Sequence, residues 1–214
     1  MLRLVRYLRV LRKLKSLGLV RVFSNNLGDA IGVSAAVVRK DFSIVGIPGN
    51  KRGGYNVDEL MTSLTALLGE TRDRIAVVVG CGRVGTALLE YRDFGKDGIE
   101  IAAGFDTDPE RTGEHDGMPP IYPADQLRRR VAELKAEVAI LTVPEEAAQP
   151  MFEQCILAGI RGVLNFTTVE LKCETLPGVR ACPDDCMVSN VNIGLEIETL
   201  FYLMNLDRLG MDVA

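Results

Sequence analysis

Ile75-Ala-Val-Val-Val-Gly-Cys-Gly-Arg-Val-Gly-Thr-Ala-Leu-Leu-Glu-Tyr91 is the stretch on which the fold turns. Ile75 to Val79 is a short continuous apolar run, the pattern of a parallel strand buried on both faces. Gly80-Cys81-Gly82-Arg83-Val84-Gly85 follows at once and opens a helix that is expected to end near Tyr91. A Gly-x-Gly-x-x-Gly is a weak signal alone. Here it lies between strand and helix, and Asp106 stands 24 positions after Gly82 at the end of the next strand, Ile99 to Phe105. In that setting Gly80 makes the turn, Gly82 lets a pyrophosphate approach the backbone, and Gly85 lets the helix pack on the sheet. The helix amides then hold the phosphates. Cys81, Arg83 and Val84 complete the expected cofactor loop, with Cys81 read as a small packing residue. The Asp106 carboxylate accepts from ribose hydroxyls and repels a 2'-phosphate, which selects NAD(H) over NADP(H).

Further along, Glu137 to Val143 and Arg161 to Phe166 read as strands separated by a helix around Glu145 to Ala158. The alternation predicts a Rossmann-like, doubly wound parallel sheet. Thr142-Val143-Pro144 and Asn165-Phe166 end later strands, where such sheets bind ligands, and join the expected cofactor site, although core or turn duty alone explains any one of them equally well. No catalytic group is assigned. His115 is the only histidine and lies in the polar stretch Gly113 to Gly117, which reads as a surface turn, and no Tyr-x-x-x-Lys is present. Cys173, Cys182 and Cys186 cluster within fourteen residues and could bind zinc or form a redox disulfide, but a fourth zinc ligand is missing nearby, so they are read as reduced loop cysteines and no metal is expected. The last helix, Ile193 to Leu209, is apolar on more than one face, which points to burial against a partner subunit, with packing on its own sheet as the alternative.

Toward the N-terminus the charge reverses. Residues 1–70 hold 11 Lys/Arg against 5 Asp/Glu, whereas residues 71–214 hold 14 against 24, so a basic module precedes an acidic one and the formal charge of −4 hides the split. The basic module is the part suited to a polyanion. Leu4, Leu8, Leu11 and Leu14 recur at helical spacing among arginines. Ser24 is expected to cap a short helix, Gly32 to allow a turn, and Ser34 to cap a second helix, Ala35 to Phe42. Gly46 to Gly54 reads as a hairpin tip carrying Lys51 and Arg52, followed by a strand at Tyr55 to Val57. The result is a winged helix-turn-helix in which Ser34, Arg39, Lys40, Lys51 and Arg52 are the expected DNA contacts. A transit peptide, a membrane-surface helix or a merely solvated basic face are the alternatives. The longest uncharged run is ten residues, too short for the roughly 20 that span a bilayer, so no membrane is expected. Five cysteines without a C-x-x-C pair or a signal peptide point to a cytoplasmic protein. The predicted domains are 1–70, 71–192 and 193–214.

Several stretches together resemble the family of redox-sensing transcriptional repressors called Rex. They are Val38-Arg-Lys-Asp-Phe-Ser43, the glycine-rich wing to Tyr55, Val79 to Tyr91, Phe105-Asp-Thr-Asp-Pro109, Leu141-Thr-Val-Pro144, Ala158 to Phe166 and Val188-Ser-Asn-Val-Asn-Ile193. The resemblance implies a homodimer that binds double-stranded, palindromic operator DNA when NADH is scarce and releases it when NADH accumulates. It also implies an exchanged C-terminal helix that reaches the partner's cofactor cleft. A dehydrogenase or a coenzyme A-binding enzyme module is the alternative reading of the second domain. Arg9 and Tyr91 match residues that the family pairs with an aspartate in its conformational switch, and Asn192 stands at that aspartate. Asn50 interrupts the family's wing pattern. About nine additional residues, carrying cysteines, lie between Leu171 and Val191.

Overall fold

The computed structural model describes residues 2–49, 53–69, 74–173 and 186–208. The chain divides into two compact units, Met1–Asp73 and Arg74–Ala214.

The first unit runs α1 (Leu2–Ser16), β1 (Arg21–Val22), α2 (Ser24–Ile31), α3 (Ala35–Ile44), β2 (Tyr55–Asn56) and α4 (Val57–Leu67). One face of α1 supplies Leu4, Tyr7, Leu8 and Leu11 to a core shared with Leu27, Val38, Phe42, Tyr55 and Leu64. Tyr7, Phe42 and Tyr55 stack edge to face at 5.2 and 5.1 Å between centroids, contacts worth about 0.5–1.5 kcal/mol each beyond their burial. Gly32 ends α2 at φ 77°, and Ser34 caps α3 by accepting from the Val37 amide at 3.4 Å, as expected. One local expectation is corrected: Phe23 rather than Ser24 precedes α2, and its amide donates to the Asn26 side chain at 3.1 Å. Asn56 caps α4, accepting from the Asp58 and Glu59 amides. The hairpin expectation also changes: β2 pairs antiparallel with β1, in register Arg21 with Asn56 and Val22 with Tyr55. The strand expected from Tyr55 is present as β2, whereas its partner β1, Arg21–Val22, has no counterpart in the sequence reading.

The second unit runs β3 (Arg74–Val79), α5 (Arg83–Glu90), β4 (Ile99–Asp106), β5 (Gly113–His115), β6 (Met118–Pro123), α6 (Leu127–Leu134), β7 (Val138–Leu141), α7 (Glu145–Leu157), β8 (Gly162–Asn165), β9 (Met187–Asn190) and α8 (Ile193–Arg208). Its seven-stranded sheet has the order β5-β6-β4-β3-β7-β8-β9, parallel except for β5. Counting only parallel strands, this is the 3-2-1-4-5-6 order of a doubly wound dinucleotide fold, and its switch point lies between β3 and β7. Both faces are covered. Val77 and Val79 join Phe105, Leu141 and Phe152 on one side, and Val78 joins Cys81, Leu89 and Ile121 on the other.

The stretch read as a surface turn at 113–117 is instead strand β5 and the tip of a hairpin with β6. Three prolines in Met118–Pro123 mask β6 in sequence; the strand is paired on both sides, and Pro119 and Pro120 fall at the irregular register with β5, outside its paired register with β4. Cys173 and Cys186 form a disulfide, which corrects the reading of reduced cysteines; Cys182 lies outside the described residues. Helix α8 exposes apolar side chains around its circumference, with Ile193, Leu195, Leu200, Phe201 and Tyr202 each more than half exposed. Among the described residues no helix is long and apolar enough to cross a membrane.

Candidate functional site

The cleft at the switch point is built by three turns. The loop after β3 places Gly80, Gly82 and Gly85 where the protein's own packing explains two of them. Gly80 has φ 92°, and a Cβ there would lie 2.8 Å from the Thr142 carbonyl. A Cβ on Gly85 would collide with the carbonyl of Gly80. Gly82 differs: its backbone is extended, at φ −70° and ψ −164°, and a Cβ would meet only Arg111 Nη1 at 3.9 Å. Nothing in the fold demands glycine there, whereas the close approach of a pyrophosphate to the helix amides does. The residues present therefore fit a dinucleotide.

Asp106 ends β4 buried, at 7% exposure, and binds the loop directly. Its Oδ2 accepts the Cys81 amide at 2.6 Å and its Oδ1 accepts the Asp108 amide at 2.8 Å. A carboxylate has about four acceptor positions, so capacity remains for a ribose hydroxyl. From the end of β7, the Thr142 hydroxyl donates to the Gly80 carbonyl at 2.5 Å and locks the two loops together. Gly80, Gly82, Asp106, Thr142, Val143 and Pro144 thus line one cavity of about 470 Å³ with Arg111 and Met151. Arg83 is exposed at the start of α5 and lines an adjoining cavity of about 450 Å³ with Cys81, Gly82 and Arg111. Val84 is half exposed beside it. The Cys81 thiol packs inward, and burial followed by the nearby Asp106 charge pushes it up to about 12, so it stays protonated.

Arg111 is the residue that sequence reading missed. Its Nη1 lies 3.4 Å from Asp106 Oδ2 and its Nε 3.3 Å from Asp108 Oδ2. Asp108 caps the turn that begins at Pro109, which brings position 111 back to the cleft. The Asp-x-Asp-Pro sequence carried that signal.

Asn165 and Phe166 are placed differently from the cavity-lining set. Asn165 is fully buried and donates both amide protons, to the Val169 carbonyl in the following loop at 2.7 Å and to Asn190 Oδ1 on β9 at 2.8 Å. Phe166 packs on the Val78 and Ile121 cluster. Asn192 caps α8, its Oδ1 accepting the Leu195 amide at 3.1 Å. Tyr91 is half exposed after α5 and stacks on Phe94. Arg9 is exposed on α1. Among the described residues no cluster suited to a metal ion is present.

In the first unit, Val38 and Phe42 point into the core and turn Arg39 and Ser43 outward. Arg39 lines an open cavity of about 910 Å³ between α3 and the start of the wing, with Ser24, Asn25, Pro48 and Gly54. Ser34 and Lys40 are exposed at the same helix, while Lys51 and Arg52 lie outside the described residues. Asp41 has another role. It holds α3 to α1 by accepting from Arg3 Nε and Nη2, both at 2.7 Å, and from the Tyr7 hydroxyl at 2.9 Å. The Arg3 hydrogen bonds hold the Asp41 carboxyl below its usual range, and burial together with Asp41 pushes the Tyr7 phenol up to about 12.

Comparison with known proteins agrees with this geometry. The family model "CoA binding domain" matches residues 71–169, and "Putative DNA-binding protein N-terminus" matches residues 1–43. The redox-sensing transcriptional repressor Rex of Streptococcus pyogenes serotype M5 (strain Manfredo) is 35% identical over 210 residues, which is 97% of this chain and 94% of that protein; the Rex of serotype M49 (strain NZ131) matches equally. The crystal structure of RSP in complex with beta-NAD+ and operator DNA has a TM-score of 0.83 at 30% identity, covering 97% of this chain and 91% of that one. RSP in complex with beta-NADH has a TM-score of 0.77 at 30% identity, covering 97% and 93%. With a basic winged helix, a dinucleotide cleft and likeness over nearly its whole length, the chain belongs to the Rex family of redox-sensing transcriptional repressors.

Proposed function

We infer that this protein is an NADH/NAD+-responsive repressor that binds palindromic operator DNA and is released by NADH. Its relatives over nearly the whole chain are transcriptional repressors rather than enzymes. The observation that carries the reading is the space at Gly82 beside Asp106, which suits a pyrophosphate and ribose and serves no packing purpose. Asp106 favours NAD(H) over NADP(H), Arg39 and Ser34 face the major groove, and Lys40, Lys51 and Arg52 meet phosphates. Release requires that NADH bind the DNA-incompetent arrangement more tightly than the competent one, and that NAD+ discriminate less.

The working unit is a cytoplasmic homodimer in which α8 is exchanged and closes the partner's cleft. The support is its exposed apolar circumference, which an isolated chain leaves in water. Arg9, Tyr91 and Asn192 belong to the switch between arrangements, with Asn192 also fixing the start of α8. Removal of residues 193–214 tests the assembly: sedimentation should show monomers or aggregates with weak operator affinity. A well-behaved dimer lacking that segment contradicts the exchange.

A further inference from the structure

We propose that Cys173 and Cys186 form a thiol redox site that gives this repressor a second input, acting on edge strand β9 and through it on α8. The proposal rests on the repressor reading above. The disulfide joins the segment just after Leu171 to the residue immediately before β9. β9 is four residues long, among the described strands pairs with β8 alone, and stands last in the described sheet. At its other end the Asn190 side chain accepts from the Leu171 amide and donates to the Leu171 carbonyl, both at 3.1 Å. The strand is therefore held at both ends to one segment, covalently at Cys186 and by hydrogen bonds at Asn190. Asn192 follows two residues later and caps α8. A change in how β9 is held passes along a continuous backbone to the start of the exposed apolar helix.

The chemistry favours this pair over the other described cysteines. Cys173 and Cys186 are half-buried and within reach of small reagents, whereas Cys81 and Cys155 are buried at 2% and 0% exposure. Burial pushes both of those thiols up to about 12, away from the reactive thiolate. A protein that acts on DNA works where thiols are kept reduced, and a disulfide there is characteristically transient and sensory. The co-reactant is a low-molecular-weight disulfide of the glutathione class. One cysteine thiolate attacks it, forming a mixed disulfide and expelling one thiolate that takes up a proton. The second cysteine, losing its proton, then attacks the protein sulfur and expels the other small thiol. Two electrons pass from the pair to the reagent, and a dithiol reductant reverses the sequence.

The test uses the full chain equilibrated with glutathione disulfide or with dithiothreitol, then alkylated under denaturing conditions. The reduced protein should present five thiols and the oxidised protein three, with peptide mapping linking Cys173 to Cys186. The NADH concentration for half-release of operator DNA should differ between the two forms by about fivefold or more, the low end of allosteric coupling. Cys173→Ser/Cys186→Ser should abolish the difference, and Cys182→Ser should keep it. Superimposed titrations of the two wild-type forms, a bridge mapped to Cys182, or five free thiols after oxidation would overturn the proposal. If NADH releases neither form, the repressor reading fails instead. Calorimetric NADH affinity in the two thiol states then decides the site on its own, equal values overturning it and a fivefold gap, about the low end of such coupling, upholding it.

Discussion

The backbone amide of Cys81 donates a 2.6 Å hydrogen bond to the buried carboxylate of Asp106, so the glycine loop and the neighbouring strand end form one unit. Asp106 therefore shapes the glycine loop, and in the function proposed above it also faces the ribose. Asp106→Ala should weaken NADH binding by about tenfold or more, the loss of a charge-assisted hydrogen bond, and narrow the gap to NADPH. Calorimetry with both cofactors checks this. Unchanged NADH affinity would remove Asp106 from the ribose role.

The two inner glycines should separate function from stability. Gly82→Ala adds a Cβ into open space and should leave stability within about 1 kcal/mol while strongly weakening cofactor binding. Gly85→Ala drives a Cβ into the Gly80 carbonyl and should cost about 2 kcal/mol or more. Thermal unfolding and NADH titration of both variants read the difference. Normal NADH affinity in Gly82→Ala would contradict the pyrophosphate position.

On the DNA face, Arg39→Ala should cost roughly 1 to 3 kcal/mol and relax sequence preference if Arg39 reads a guanine. Lys40→Ala should weaken all duplexes alike and lower the salt slope by about 1. Binding isotherms at several salt concentrations distinguish a base reader from a phosphate contact.

Asp41 ties α3 to α1, and its folded pKa lies below the unfolded value. Its stabilisation is therefore fully present above about pH 4, the unfolded aspartate range, and lost as pH falls through the lower folded value. Asp41→Asn should destabilise the first unit by about 1 to 2 kcal/mol at neutral pH, a modest figure because Arg3 is half exposed and screened. The gap to the natural chain should close on acidification. A gap that persists at about pH 2, below the unfolded aspartate range, would mean that packing, not charge, holds the helices together.

Much of this was legible in the sequence because strong local signals coincide with the site. The apolar run from Ile75 to Val79, the glycine loop and Asp106 need only a period, a spacing and a strand end, and the loop and Asp106 meet around one cavity. What was hidden depends on partners distant in sequence. Asp41 reads as part of a basic DNA helix until Arg3, 38 residues earlier, is seen on it. β6 is concealed by its prolines, β1 by its two-residue length, and the Cys173–Cys186 pairing by the rule that spacing does not determine connectivity. Asn165 looked like a ligand contact because it ends a strand, yet its side chain is spent on Val169 and Asn190.

The central claim is that the oxidation state of the nicotinamide, rather than its mere presence, governs DNA binding. The reduced ring is neutral and the oxidised ring positive, and a cleft closed by the partner's apolar helix, as proposed above, would accept the neutral ring more readily. Operator affinity at one fixed salt concentration, measured with saturating NADH and then with saturating NAD+, tests this most directly. We predict that NADH weakens binding about 30- to 150-fold, corresponding to about 2 to 3 kcal/mol of coupling, while NAD+ shifts it much less. Equal shifts with the two cofactors would contradict redox sensing by this protein.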